Sequence, residues 1–213
     1  VITIAETFPV WRGRLHWWAF VGALPAGALL ILAAGPAAHR ASASIYVASL
    51  LAVFGTSAAY HRLARSGRTR RIMRQLDHSM IYVLITGSYV PLCLVALPPG
   101  WGISILSVVG GCALLGMSLK LAAFDRWRWL GDALYPLMGW VAVVATPVLV
   151  DRLTGVETVL LAAGGVIYTA GLAVLMTRRP DPWPATFGYH EVWHVFTVLA
   201  AACHFAVVTS ILA

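Results

Sequence analysis

The chain alternates long apolar runs with short polar interruptions. A helix that crosses a bilayer needs about 20 mostly apolar residues, and runs of that length recur at 16–35, 43–64, 78–97, 101–122, 130–150, 157–177 and 190–212. This pattern predicts an all-α integral membrane protein with seven transmembrane helices. The connections are short and no Ser/Gly-rich linker or low-complexity tract interrupts the series, so residues 1–213 read as one seven-helix membrane domain. Arg12 and Arg14 before the first run, with Ala-rich sequence after it, imitate a signal peptide. The run exceeds the apolar stretch of about 7–15 residues that signal peptides carry, so a retained span is predicted. The chain starts at Val1, which leaves the true start open.

Composition strengthens this picture, with 60% hydrophobic and 11% charged residues, a balance outside that of soluble domains. Of the 15 Lys and Arg residues, all but Arg40 and Arg152 lie before span one or in the second, fourth and sixth connections. The positive-inside rule then puts the N-terminus in the cytoplasm and the C-terminus outside. A net charge of +7 raises the question of nucleic acid. The basic residues border apolar runs instead of lining a groove with aromatic platforms, so no nucleic-acid partner is expected. Membrane lipids with anionic headgroups are the expected partners. Cys93, Cys112 and Cys203 all fall within spans at spacings unlike any zinc or disulfide framework, and read as packing residues. Oligomeric state is not legible in the sequence.

Against this background Ser57, His61, Asp77, His190 and His194 stand out. Ionisable residues are rare in spans and tend to mark function. Span two runs outside to inside, so His61 lies near its cytoplasmic end with Ser57 one turn deeper; span three starts inside with Asp77; span seven starts inside with His190 and His194. Topology thus gathers all five in one leaflet. Residues four apart share a helix face, with Cβ atoms roughly 5–6 Å apart, so His190 and His194 can grip one ion. Zinc takes imidazole nitrogens, and a catalytic zinc keeps three protein ligands and an open position for water. His61, His190 and His194 would be those ligands, with Asp77 better placed beside the water than on the ion, although spacing does not decide between the two. The competing reading is that each histidine merely hydrogen-bonds a neighbouring helix or meets interfacial water.

These residues sit in segments that resemble a known family: Ser57-Ala58-Ala59-Tyr60-His61, Leu76-Asp77-His78-Ser79 leading into Thr86-Gly87-Ser88-Tyr89-Val90-Pro91, and Phe187-Gly188-Tyr189-His190-Glu191-Val192-Trp193-His194. Together they resemble the hemolysin III family, the bacterial branch related to the progestin and adipoQ receptors, which include the adiponectin receptors. The resemblance spans essentially the whole chain. It implies seven spans in a bacterial cell (inner) membrane and a zinc ion held by His61, His190 and His194. It also implies an aspartate, Asp77, contacting zinc-bound water, and a serine, Ser57, one turn before the first histidine. Adiponectin receptors are associated with ceramidase activity, and the superfamily is regarded as metal-dependent membrane hydrolases. In the bacterial branch the name records haemolysis, and a role in membrane-lipid homeostasis has been proposed, so the substrate does not carry over.

One departure is that His190-Glu191-Val192-Trp193-His194 also reads H-E-x-x-H, in which metalloproteases use the glutamate as general base. The adiponectin receptor branch lacks Glu at this position. Glu191 is therefore read either as a second base or as a first-turn acid favoured by the helix dipole. The resulting expectation is hydrolysis of a lipid amide or ester, with Asp77 or Glu191 accepting a proton and Ser57 either stabilising an oxyanion or orienting a ligand. Alternatives are a receptor or sensor with structural zinc, a hemolysin-like pore, an intramembrane metalloprotease, and haem binding through His61. His204, about 15 Å along the axis from His194 at 1.5 Å per residue, is read as a helix-helix hydrogen bonder. His78 is expected to face the interface, Asp132 to be a helix-terminal charge, and Tyr135 and Trp140 to pack. Gly110, Gly111 and Gly116 are expected to admit a neighbouring helix, and Trp17, Trp18, Trp101, Trp127 and Trp129 to line interfacial belts.

Overall fold

The computed structural model describes residues 9–213, and among them the only extended pairing is a single bridge between Trp183 and Phe187. Seven helices are long and apolar enough to cross a membrane: Arg14–Ala33, Ala37–Leu63, Gly67–Ala96, Pro99–Ala122, Arg128–Arg152, Gly155–Thr177 and Tyr189–Leu212. They are called spans one to seven below. Leu29, Leu114, Val144, Val159 and Met176 stand exposed on their outer faces. Such an apolar surface suits lipid tails, whereas in water it would drive association. The protein is a multi-pass helical membrane protein.

Local chemistry decides where the helices begin and break. Span three starts at Gly67 instead of near 78, because Ser66 caps it by accepting from the Thr69 N–H at 3.2 Å and the Arg-rich turns that follow continue the helix beyond the apolar run. Asp77 therefore sits well inside a continuous helix. At the other end Pro91 is followed by a π-turn over Leu92–Ala96, closed by the Leu97 N–H on the Leu92 carbonyl at 2.9 Å. Span five is interrupted by a 3-10 turn over Val141–Ala145. Pro147 has no N–H to give the Val143 carbonyl, which weakens the helix at that point. Tyr89 of span three stands in the break: its hydroxyl donates to the Met138 carbonyl at 2.8 Å and accepts from the Ala142 N–H at 2.9 Å.

Two apolar clusters hold the bundle. One lies mainly among spans three, four and five around Tyr82, Val109 and Met138; the other joins spans one, two and seven around Tyr46, Leu50 and Val208. Gly116 admits a neighbour as expected, since a Cβ there would lie 2.2 Å from Cζ of Tyr82. Gly110 and Gly111 do not: a Cβ at either would meet nothing within 4 Å. His204 joins spans six and seven through Nε2 and the Leu161 carbonyl at 3.4 Å, over Gly164, where a Cβ would lie 2.4 Å from its ring. The second cluster ends, on the side where span two finishes and span seven begins, in the polar group described next.

Candidate metal centre

Each histidine of the centre is delivered by a helix end. His61 lies in the last turn of span two, and His190 and His194 occupy the first two turns of span seven. One ligand nitrogen from each lies within 4.8 Å of the other two, and Nε2 of His190 faces Nε2 of His61 at 3.2 Å. Two neutral imidazoles can meet in this way only if one donates, or if both offer lone pairs to a shared cation. Nδ1 of His194 is buried without a hydrogen-bond partner, an exposed cost unless something other than protein satisfies it. No carboxylate belongs to the trio. These features fit a metal ion held by imidazole nitrogens.

The approach to the trio is tight. Gly13 adopts φ 74°, a left-handed conformation that glycine takes without steric penalty, and a Cβ there would stand 2.7 Å from Cβ of His61. The turn over Pro9–Gly13 lies across the helix ends, tied by Val10 and Trp11 N–H bonds to the Ala185 and Thr186 carbonyls at 3.3 and 3.1 Å. Arg12 on this turn reaches the fully buried Glu191, with Nε 2.5 Å from Oε1. The other oxygen, Oε2, accepts from the Gly188 N–H at 2.9 Å. Both Glu191 oxygens are thus engaged in capping span seven and anchoring the turn, which favours the first-turn reading of this residue over that of a base.

Ser57 is buried one turn from His61, and Asp77 lies beside its hydroxyl. His78 turns away: its Nδ1 donates to the Arg74 carbonyl at 2.9 Å and its ring meets the edge of Phe124 at 5.1 Å. Sequence reasoning missed His16. This imidazole, 5% exposed, stacks on His194 with centroids 3.7 Å apart and planes 12° from parallel. Its Nδ1 pairs with Ser57 Oγ at 2.8 Å and its Nε2 with Thr197 Oγ1 at 2.9 Å. The signal was available, because His16 opens span one on the side where span two ends. Asp132 is also more than a helix-terminal charge, for it pairs with the buried Lys120 at 2.6 Å. Tyr135 donates to the His78 carbonyl at 2.9 Å, and Trp140 to Thr169 at 3.1 Å.

A family model described as "Haemolysin-III related" matches residues 4–205. The chain is 32% identical over 179 residues to "Hemolysin-3 homolog" of Bacillus subtilis (strain 168), covering 83% of this chain and 81% of that protein. "Hemolysin-3" of Bacillus cereus is 30% identical over 187 residues, 85% and 81% of the two chains. "Heptahelical transmembrane protein ADIPOR2" of Oryza sativa subsp. japonica is 27% identical over 185 residues, 79% and 80%.

Proposed function

The chain belongs to the haemolysin-III-related family, and from that premise we propose that it is a zinc-dependent membrane hydrolase acting on amide or ester bonds of lipids. The observation that carries the reading is the convergence of His61, His190 and His194 to within 4.8 Å beside Ser57 and Asp77. Zinc accepts three imidazoles readily, and the nitrogens of a tetrahedral zinc stand about 3.3 Å apart when each bond is about 2.05 Å, close to the 3.2 Å between His61 and His190. When bound, zinc supplies Lewis acidity and a water acidic enough to react near neutral pH.

The chain's own residues divide the remaining work. Asp77 accepts the proton as water adds to the carbonyl carbon, then returns it to the departing amine or alcohol, so that water is added across the broken bond. Ser57 orients rather than stabilises an oxyanion. Thr197 donates to the His194 carbonyl at 2.8 Å, and the Ser57 hydroxyl lies between Nδ1 of His16 at 2.8 Å and the Asp77 carboxylate, which it can hold as a donor. Glu191 holds Arg12 and the end of span seven. Because the trio lies at helix ends, a lipid whose scissile bond is near headgroup level can reach it while its tails stay in the bilayer. By the positive-inside rule this end faces the cytoplasm.

The test is metal content by elemental analysis of the purified protein, followed by turnover of an N-acylsphingosine and of a phospholipid ester with and without chelator. One zinc per chain and chelator-sensitive release of fatty acid from either lipid are expected. Zinc without turnover of either would replace catalysis by a structural staple between spans two and seven.

A further inference from the structure

We propose that His16 of span one is a positioning residue for His194, its stacked ring doing what a hydrogen bond does for most histidine ligands; this rests on the metal-site reading above. A metal-bound imidazole is ordinarily held in its plane by a hydrogen bond from its second nitrogen, and losing that partner weakens the site. Neither ring nitrogen of His194 makes such a bond to a described residue, Nδ1 being buried and unpartnered, so whichever nitrogen faces the ion the other has no partner to fix the ring. In its place His16 lies nearly parallel to the His194 ring at 3.7 Å.

The His16 ring is itself immobilised. Ser57 holds Nδ1 at 2.8 Å and Thr197 holds Nε2 at 2.9 Å, so it cannot turn about its own axis without breaking a bond at each end. Phe54 packs against it at 5.2 Å with planes tilted by 54°. Thr197 stands one turn after His194 and donates to its backbone carbonyl at 2.8 Å, so the clamp and the clamped residue are referenced to the same turn of span seven. With both nitrogens given to hydroxyls, His16 has no lone pair for the ion. Its contribution is orientation, passed to His194 through the stack and to Asp77 through Ser57.

The experiment uses the full chain in detergent, stripped of metal and titrated with cobalt(II), whose visible d–d bands report ligand geometry. Affinity is read by chelator competition and folding by the thermal transition. His16→Ala should still bind one cobalt at saturation, with affinity lowered about 10–100-fold and shifted d–d bands, and added imidazole should restore part of both. His16→Phe keeps a flat ring to stack on and should fall nearer to wild type. If His16→Ala does not fold, Thr197→Val decides, because it frees one edge of the His16 ring and should also shift the bands. Wild-type affinity and spectrum in His16→Ala, or an unchanged spectrum in Thr197→Val where His16→Ala is unfolded, overturns the proposal and leaves the metal site standing. Folded His16→Phe that takes up no cobalt would make His16 a ligand and overturn it too. Wild-type protein that takes up no cobalt overturns both readings.

Discussion

Two groups of buried polar residues sit in this bundle and end differently. Among spans three, four and five, Lys120 is 1% exposed yet bonds Asp132 at 2.6 Å, Tyr82 donates to the Gly131 carbonyl, and Tyr135 to that of His78. Each of these groups finds a protein partner. Where spans one, two and seven meet, three imidazoles converge with a buried nitrogen left over. Burial of charge alone does not mark a site. A polar group whose partners are complete is explained by folding; a lone unpartnered atom such as Tyr46 Oη or Thr86 Oγ1 marks nothing by itself, and it is the convergence of three imidazoles that calls for a further ligand.

The sharpest way to break this contrast is to remove one imidazole. His194→Ala should lose metal at least a hundredfold in affinity, and lipid turnover with it. The check is elemental analysis at fixed protein concentration, beside a thermal melt that should show the seven helices still folded. Stoichiometric zinc in the variant would end the ligand assignment and make the two groups alike.

The opposite behaviour is expected at the other group. Asp132→Ala strands the buried Lys120 ammonium, and an uncompensated buried charge costs about 3–5 kcal/mol. Asp132 is 43% exposed, so solvent screening limits the loss to about 2–3 kcal/mol. Denaturation in mixed micelles should read this cost, with metal content unchanged, and Lys120→Met in the Asp132→Ala background should recover most of it. Loss of zinc together with stability would join the two groups into one functional unit.

How far this contrast was visible beforehand depends on which signal each residue gives. Apolar run length revealed the seven spans because lipid demands it directly, and the four-residue step from His190 to His194 survives any error in helix ends. His61 and Asp77 followed from counting spans. His16 and Thr197 escaped because a lone histidine and a lone threonine carry no spacing pattern: depth put His16 at the right end of span one, but only the fold shows its ring meeting the Ser57 and Thr197 hydroxyls. Lys120 looked interfacial, as a basic residue at the end of a run usually is, until its partner twelve residues on was brought back by the turn between spans four and five. The break in span five could be suspected from Pro136 and Pro147, but nothing in the run announced that Tyr89 would fill it. Gly110 and Gly111 misled for the converse reason: a small residue permits close approach without causing it.

Glu191 tests the boundary between the two kinds of group, since it lies beside a ligand yet has complete partners. Glu191→Gln keeps the shape but weakens a charge-assisted bond to Arg12, a loss of about 1–2 kcal/mol. Turnover at saturating lipid should stay within a few-fold of wild type while the melting temperature falls. If instead turnover fell a hundredfold or more with stability intact, Glu191 would be the general base, and complete partnering would no longer separate structural from reactive carboxylates here.

The smallest effect is expected at Gly110, where span four lines an open cavity with spans two and three. A Cβ at Gly110 meets nothing within 4 Å, while one at Gly116 would enter the Tyr82 ring that borders the Lys120 group. Alanine restricts the unfolded chain and favours helix over glycine by about 0.4–1 kcal/mol where space allows. Gly110→Ala should therefore raise the melting temperature slightly or leave it unchanged, with metal content and turnover unaltered. Gly116→Ala must push Tyr82 off the Gly131 carbonyl and should destabilise by about 1–3 kcal/mol. Equal effects at the two glycines would mean that span four packs against a neighbour on its Gly110 face, and the partnering of the Lys120 group would have to be drawn again with that neighbour included.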